Sequence, residues 1–167
     1  GKGNRSDTMI IASINNDTKE VKLVSVYRDT YLDLTNDSYN KANHAYSGGG
    51  PEQAINMLNR NLDLDIEYYV SVDFAALTET VDLLGGIMID VDEAEIEHLN
   101  NYTVETSEVT GVKTEKLTQT GYQLLDGVQA TSYCRIRYTA GDDFKRTERQ
   151  REVIMEIVSK AKQADIS

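Results

Sequence analysis

Two short hydrophobic stretches near the start of the chain are separated by a polar one. Residues 8–14 and 21–27 are rich in β-branched and aliphatic side chains, and residues 15–20 between them are all polar. This pattern is typical of two antiparallel strands joined by a turn. It predicts a β-hairpin.

The register of this hairpin decides which residues meet at its open end. If Ile14 pairs with Val21, counting outward along the strands places Asp7 opposite Arg28, and Asp29 follows directly. A slip of one residue would keep these charged residues close while changing the faces to which they point. The pattern therefore predicts a cluster of Asp7, Arg28 and Asp29.

Three later stretches repeat apolar residues at helical spacing. Residues 52–62 follow Gly48-Gly49-Gly50-Pro51, which predicts a helix entered through a flexible glycine hinge. Residues 73–84 predict a second helix, capped by its first residue, Asp73. Residues 147–162 predict a last helix with one apolar stripe.

The stretches around these helices are assigned by composition and turn signals. Residues 66–72 and 87–91 flank the second helix and predict strands, so that strand, helix and strand form a crossover on a sheet. Residues 123–130 predict a short helix interrupted by its glycine, followed by an extended segment at 133–137. Residues 92–117 are polar and weakly patterned, so the sequence predicts only turns at Asn100-Asn101 and Gly111 there.

Length and charge narrow the class of protein. A chain of 167 residues with 40% hydrophobic content suits one domain with one core. Its formal net charge of -11 repels a polyanion, which argues against nucleic-acid binding through bulk positive potential. Any anion must therefore meet a local cluster of basic residues. Five of the eight arginines fall between Arg135 and Arg151, which is such a concentration.

The cysteine and histidine content excludes two kinds of stabilising site. Cys134 is the single cysteine, so an internal disulfide is impossible. His44 and His98 lie far apart without cysteines at zinc-like spacing, which excludes a structural zinc site. The simplest roles are a small core residue for Cys134 and a loop hydrogen-bonder for His44. No apolar run in the sequence approaches the length of a membrane-spanning helix.

The concentrated arginines form a candidate anion site. On an extended strand Arg135 and Arg137 project from the same face. At the start of the last helix, Arg146 and Gln150 lie one turn apart beside the apolar stripe, where free N–H groups favour a phosphate. Arginine suits this site because its planar fork makes paired hydrogen bonds to phosphate oxygens.

The carboxylates of the hairpin cluster suggest a metal. Asp7 and Asp29 lie beside arginines, and carboxylates do not help to bind an anion unless a divalent cation binds to both. Magnesium typically uses a few carboxylates together with substrate phosphate oxygens. The mixture of charges points to metal-assisted phosphoryl chemistry.

Simpler interpretations of the same residues stay open. Arg149 and Arg151 lie among glutamates, which predicts ordinary surface ion pairs and leaves both outside the candidate site. Arg135 and Arg137 could form an exposed strand face in an acidic protein. Asp7 could serve only to cap a turn. The tyrosines at 68 and 69 are most simply sheet residues.

Seven short motifs follow one another along the chain. They are Arg5-Ser6-Asp7-Thr8-Met9, Arg28-Asp29-Thr30, Lys41-Ala42-Asn43-His44-Ala45-Tyr46, Gly49-Gly50-Pro51-Glu52, Asp82-Leu83-Leu84-Gly85-Gly86-Ile87, Arg135-Ile136-Arg137 and Phe144-Lys145-Arg146-Thr147-Glu148-Arg149-Gln150. In this order they resemble the signature of the LytR-CpsA-Psr family, a group of cell-wall glycopolymer phosphotransferases. The resemblance runs from Arg5 to beyond Gln150, nearly the whole chain.

The resemblance implies a fold and an activity. Residues 1–167 would form one α/β catalytic domain, with a mixed central β-sheet flanked by helices on both faces and a hydrophobic lipid pocket. The activity would be transfer of a teichoic acid, capsular or similar glycopolymer from undecaprenyl pyrophosphate to peptidoglycan, with Mg²⁺ at the head group. It would act outside the membrane of a Gram-positive bacterium.

The resemblance also implies residue roles. Asp7 would be the metal-side carboxylate. The resemblance assigns no base for the acceptor hydroxyl, and our own hypothesis for that role is Asp29. The pyrophosphate would be bound by Arg28, Arg135, Arg137, Arg146 and Gln150, of which Arg28, Arg135 and Arg137 would act in catalysis.

This sequence departs from the family pattern at several positions. Tyr27 stands where proline is usual, and Ala42 replaces a larger aliphatic residue. The family's further aspartate on an upstream strand and its N-terminal membrane helix would both precede Gly1, so we expect an N-terminally truncated chain. Two alternative functions follow: a polyprenyl-pyrophosphate hydrolase, in which water replaces the acceptor, and a non-catalytic module that binds polyprenyl phosphate.

Overall fold

The computed structural model describes residues 6–137 and 141–164. Backbone contacts group the chain into two compact units, residues 1–71 and 72–167. Each unit has its own hydrophobic core. The helices that the described residues form include none long and apolar enough to cross a membrane.

The first unit contains two hairpins and one long helix. Its elements are β1 (Met9–Ile14), β2 (Val21–Val26), β3 (Tyr31–Asp33), β4 (Tyr39–Lys41) and α1 (Asn43–Leu62). β1 pairs with β2 and β3 with β4, both antiparallel. Ile14 pairs with Val21, which confirms the predicted register of the first hairpin. The core of this unit comprises Met9, Leu34, Ala42, Ala45, Ala54, Met57 and Leu58.

The glycine hinge lies within α1 and divides it into two helical segments. Gly49 and Gly50 have non-helical dihedral angles, and Gly50 has φ 66° and ψ -157°. This is a region that only glycine adopts readily. Pro51 then opens the second segment with a fixed φ. The predicted helix after a hinge is confirmed, and a further helical segment precedes it.

Among its described residues, the second unit packs four helices against one antiparallel strand pair. Its elements are α2 (Phe74–Leu83), β5 (Ile87–Val91), α3 (Glu93–Thr110), β6 (Gly121–Leu125), α4 (Gly127–Arg135) and α5 (Asp142–Ala164). Asp73 caps α2 as predicted, since its side chain accepts a hydrogen bond from the Ala76 N–H. β5 and β6 pair with Ile87 opposite Leu125.

Helix α4 is the central element of this unit. Its residues from Gly127 to Cys134 are all buried, so it is enclosed on every side. A Cβ added at Gly127 would lie 2.1 Å from the Thr78 carbonyl oxygen, so only glycine allows α2 and α4 to approach this closely. The hydroxyls of Thr78 and Thr131 hydrogen-bond across the same contact at 2.8 Å.

The predicted α/β class is confirmed, with two differences in the strands. Among the described residues the strands pair as three two-stranded antiparallel sheets, where the family resemblance implies one mixed sheet. Residues 66–72, predicted as a strand, lie outside these strands, and their Tyr68 and Tyr69 side chains are 87% and 61% exposed. β-branched and aromatic residues favour a strand only where a neighbouring strand packs against them.

Two helices replace predicted irregular or extended segments. Residues 92–117, where the sequence predicts only turns at Asn100-Asn101 and Gly111, contain α3, which begins at a capping box formed by Asp92 and Glu95. The segment predicted to be extended at 133–137 instead includes the end of α4, which begins at a second capping box formed by Asp126 and Gln129. In both places the reciprocal hydrogen bonds of the capping box fix the start of the helix. The apolar residues there are too sparse for the sequence pattern to reveal it.

Candidate functional site

In the first unit, Arg28 lies between two aspartates just beyond the open end of the β1–β2 hairpin. Its Nη1 is 3.5 Å from Asp7 Oδ1, and its Nε is 3.9 Å from Asp29 Oδ2. The Lys41 Nζ lies 2.9 Å from Asp29 Oδ1. The structure thus brings Asp7, Arg28 and Asp29 together as the strand register predicts.

The Arg28 guanidinium is held loosely enough to accept a ligand. Both of its distances to carboxylates exceed the ~2.7–2.9 Å of a strong charge-assisted hydrogen bond. Its Nε is buried and has no hydrogen-bond partner among the described residues. The Arg28 side chain is 29% exposed and that of Asp7 79% exposed, so solvent reaches the cluster. A phosphate oxygen could therefore occupy donors that the protein leaves weakly filled.

The same aspartates fit a magnesium ion only in part. Within residues 6–137 and 141–164, no group of three His, Cys, Asp or Glu side chains could hold a metal by itself. Magnesium commonly takes one or two protein carboxylates, with water and substrate phosphate filling its other positions. Asp7 meets that requirement because its carboxylate is exposed and has only a long contact to Arg28.

In the second unit, Arg135 is the last residue of α4 and is held on several sides. Its Nη2 lies 3.0 Å from Glu105 Oε1, and its Nη1 donates to the Thr106 hydroxyl at 3.1 Å. The guanidinium carbon lies 4.6 Å from the ring centre of Phe74 and 5.4 Å from that of Tyr102, close enough for cation–π attraction. These contacts orient the guanidinium while 13% of the side chain stays exposed.

The predicted strand face shared by Arg135 and Arg137 is wrong. Arg135 ends a helix, and Arg137 lies beyond that end and is exposed. The helix arises because the Asp126 capping box begins it and buried side chains on every face extend it. The two arginines are therefore presented by a helix terminus and the segment that follows it.

Arg146 and Gln150 lie further into α5 than the sequence predicts. The helix begins at Asp142, so Arg146 lies in its second turn and Gln150 one turn later. Asp142 and Asp143 occupy the first turn, where their charge suits the helix dipole and disfavours a phosphate at the N-terminus. Arg146 Nη2 contacts Asp143 at 2.9 Å, and its side chain is only 5% exposed. The predicted phosphate seat at the helix start is therefore corrected.

Helix α5 packs along the chain segment that contains Arg135. Gln150 Nε2 donates to the Cys134 carbonyl at 3.4 Å, and Arg149 Nη1 donates to the Ile136 carbonyl at 3.3 Å. Arg146 precedes Gln150 by one turn, about 6 Å along the same helix face. The end of α4 and this face of α5 thus lie side by side.

Arg149, predicted as a surface residue, is buried in an ion pair. Its Nε lies 2.6 Å from Glu95 Oε2, and the two side chains are 5% and 9% exposed. Arg149 and Arg146 share the buried stripe of α5 with Val153, at intervals of three and four residues. That spacing is the signal that could have identified Arg149, although its glutamate neighbours in sequence suggest the surface.

A charged cavity of about 570 Å³ adjoins this ion pair and is lined in part by Arg149, Glu152 and Tyr133. The Tyr133 hydroxyl donates to Glu152 Oε2 at 2.8 Å. Burial raises the pKa of Tyr133 far above its usual range. Desolvation also raises the pKa of Glu152, although the hydrogen bond from Tyr133 opposes this shift. Burial raises the pKa of Cys134 to about 12, as expected of a core thiol.

A comparison with protein families matches residues 1–166 to the model described as the LytR_cpsA_psr family. The chain belongs to this family. The match extends over all seven motifs and confirms the resemblance that the sequence carries. Arg5, in the first motif, lies outside the described residues.

The curated relatives within the LytR_cpsA_psr family include named transferases. The chain is 38% identical to the polyisoprenyl-teichoic acid–peptidoglycan teichoic acid transferase TagU of Enterococcus faecalis, over 93% of the chain and 47% of the relative. It is 30% identical to TagT of Bacillus subtilis, a transferase with the same description, over 95% of the chain and 46% of the relative. The chain thus spans about half the length of these relatives.

Solved structures from the family share this fold. The family protein YwtF (TagT) with bound octaprenyl pyrophosphate lipid aligns with a TM-score of 0.75 at 29% identity, covering 95% of this chain and 60% of that one. TagT bound to LIIa-WTA aligns with a TM-score of 0.79 at 30% identity, covering 95% and 58%. The fold of the family is therefore present in this chain.

Proposed function

We propose that this chain is the catalytic region of a phosphotransferase that moves a glycopolymer from a polyprenyl pyrophosphate to peptidoglycan. Teichoic acid is the first candidate polymer because TagU and TagT are named for its transfer. The lipid in the TagT structure supports a polyprenyl pyrophosphate as donor. The observation on this chain that carries the proposal is Arg28, an underfilled guanidinium between two exposed aspartates.

The arginines would bind the pyrophosphate. These would be Arg28, Arg135, Arg137 and Arg146, with Gln150 as a further hydrogen-bond donor. Arg137 is exposed and Arg135 is oriented by its ring and hydroxyl contacts. A guanidinium held in a fixed direction stabilises charge that develops in the transition state without reorganising. The same proposal includes a hydrophobic pocket that would hold the polyprenyl chain of the donor.

The reaction would form one phosphorus–oxygen bond and break another. A hydroxyl oxygen of the acceptor sugar attacks the phosphorus bonded to the glycan. The bond from that phosphorus to the bridging oxygen breaks, and polyprenyl monophosphate leaves with the electron pair. Asp29 would accept the hydroxyl proton, and the neighbouring Lys41 ammonium would hold its carboxylate in place at 2.9 Å.

A magnesium ion would be held by Asp7 together with phosphate oxygens of the donor. When bound, it would neutralise part of the charge on the pyrophosphate. Arg28 would still orient the phosphate from its position beside Asp7. We propose, with this activity, that the protein acts on the outer side of the cell membrane, to which the family's N-terminal helix would anchor it.

A product analysis tests the proposal. The chain is incubated with a polyprenyl-pyrophosphate-linked saccharide, uncrosslinked peptidoglycan and Mg²⁺, and both the lipid and the glycan products are identified. We expect polyprenyl monophosphate and saccharide-bearing peptidoglycan in equal amounts. Release of free saccharide phosphate would identify a hydrolase, and an unconsumed donor that stays bound would identify a binding module. Either result would overturn the proposal.

Two variants and one metal treatment assign the roles. Arg28→Lys keeps the charge but loses the planar fork, and should lower turnover by ~10- to 1000-fold. Lys22→Ala, which removes an exposed cation of β2, is the matched control and should transfer normally. Removal of divalent cations with EDTA should abolish turnover, and added Mg²⁺ should restore it. Equal turnover rates with and without Mg²⁺ would show that Asp7 does not hold a metal ion needed for transfer.

A further inference from the structure

The outward face of the β3–β4 hairpin carries two exposed tyrosines side by side. Tyr31 pairs with Lys41 and Tyr39 with Asp33, so alternation places these four side chains on one face. The tyrosine ring centres are 6.2 Å apart, and the rings are inclined by only 23°. Tyr31 is 69% exposed and Tyr39 62% exposed. The two stacked rings therefore form an exposed aromatic surface on the hairpin.

The charges around this surface are paired. Lys41 Nζ lies 2.9 Å from Asp29 Oδ1, and Arg60 Nε lies 3.2 Å from Asp33 Oδ2. Two cations thus balance two anions at the edges of the aromatic pair. Such a surface suits a neutral ligand that has an apolar face and polar edges. A sugar ring fits this description, since its C–H face can lie on an aromatic ring while its hydroxyls reach charged groups at the rim.

The aromatic surface is continuous with the proposed reaction centre. Lys41 lies directly across the strand pair from Tyr31, where facing Cβ atoms are typically ~4.5–5.5 Å apart. The Lys41 ammonium contacts Asp29, the proposed proton acceptor. A sugar on the tyrosines would therefore direct a hydroxyl toward the carboxylate that has to receive its proton. A donor rich in phosphate would gain little electrostatic attraction from a surface whose cations are already paired with carboxylates.

We propose that Tyr31 and Tyr39 form the acceptor subsite, on which one sugar ring of the peptidoglycan glycan strand stacks. This inference deepens the proposed function and rests on it. The subsite binds the acceptor sugar and directs its attacking hydroxyl toward Asp29. The pyrophosphate is bound by the arginines and not by the tyrosines.

The test is a titration of the chain with peptide-free glycan oligomers released from peptidoglycan, followed by NMR. Tyr31→Ala and Tyr39→Ala should each weaken binding by roughly 3- to 30-fold, the range expected for loss of one aromatic contact. Tyr31→Phe keeps the ring and should bind within about threefold of the unmodified chain. Tyr122→Ala removes an equally exposed tyrosine from β6 and should leave binding unchanged.

The cross-strand tyrosine pair also stabilises the hairpin, so folding is checked by circular dichroism. Where an alanine variant does not fold, Tyr31→Thr replaces it, because a β-branched side chain suits a strand. In the transfer assay the alanine variants should raise KM for the glycan acceptor and leave KM for the lipid donor unchanged. A merely structural role would change both.

Several outcomes would overturn the subsite. One is that the unmodified chain does not bind the glycan. Another is that the double variant Tyr31→Ala/Tyr39→Ala binds the glycan as tightly as the unmodified chain. A third is that Tyr122→Ala weakens glycan binding as much as the Tyr31 and Tyr39 variants do. A further one is that the alanine variants lose binding of a poly(glycerol phosphate) oligomer instead of the glycan. Binding of polyprenyl pyrophosphate is measured separately on the same proteins. Its absence would refute the proposed function while the glycan titration still decides the subsite.

Discussion

The buried pair of Glu95 and Arg149 gives the sharpest prediction about stability. Glu95→Gln removes the negative charge but keeps an oxygen able to accept the Asp92 N–H, which Glu95 Oε1 now accepts at 3.2 Å. Arg149, only 4% exposed, would then lose its countercharge. Breaking a buried pair in this way costs about 3–5 kcal/mol. This is a large part of the ~5–15 kcal/mol that stabilises a typical domain.

A second glutamate of α3 supplies the matched control. Glu105 also contacts an arginine, Arg135, but its side chain is 60% exposed. Glu105→Gln should therefore cost about 1 kcal/mol or less. Free energies of unfolding are compared by urea titration followed by far-ultraviolet circular dichroism. The double variant Glu95→Gln/Arg149→Met, which leaves no buried charge at this position, should recover part of the loss.

The reasoning has a clear point of failure. If Glu95→Gln and Glu105→Gln destabilise the protein equally, burial does not set the strength of this pair. If the double variant is less stable than Glu95→Gln, the arginine stabilises the unit mainly through its hydrogen bond to the Ile136 carbonyl. The first result would refute the electrostatic argument, and the second would replace it.

Three further predictions concern turnover, reactivity and pH. Arg135→Ala should reduce transfer by ~10- to 1000-fold while Lys22→Ala does not, and near-normal turnover in a steady-state assay would show that Arg135 is not one of the arginines that bind the pyrophosphate. Because the pKa of Cys134 is about 12, its thiol should react with a thiol reagent at least roughly a thousandfold more slowly in the folded protein than in urea, and equal rates would show that the thiol is accessible. The pKa of Glu152 is raised by folding, so the folded state loses stability as pH rises from the unfolded pKa through the folded one. Glu152→Gln should therefore be more stable than the unmodified chain at about pH 8 and equal to it near about pH 3.5, and urea midpoints that keep a constant difference across this range would contradict the shift.

The sequence predicts structure most reliably where the prediction rests on side-chain alternation and charge spacing among residues close together in the chain. The register of the first hairpin follows from counting between Ile14 and Val21, and it correctly brings Asp7 to Arg28. The hinge at Gly49 and Gly50, followed by a helical segment that Pro51 opens, follows from glycine and proline chemistry. Each of these depends on a few residues close together in the chain, so no tertiary contact has to be known.

Prediction of structure from the sequence fails where polar side chains are buried. The inner face of α3 carries Thr103 and Thr106, which are buried and look like surface residues in sequence. Arg149 is buried because Glu95, 54 positions away, neutralises it. No local pattern contains that partner. The sequence thus groups the candidate arginines of the second unit and predicts most of α5, but it does not predict that Arg135 ends a helix, α4.

The enclosure of α4 constrains how this part of the protein can vary. Each residue inserted into a helix turns everything after it by about 100° and advances it by about 1.5 Å. Because Gly127 to Cys134 are buried on every side, the helix has no solvent-facing side on which to absorb an insertion. One added residue would swing Arg135 away from Phe74 and Thr106. Changes in length should therefore be tolerated between α3 and β6, where residues 111–120 form no helix or strand, and excluded between Gly127 and Arg135.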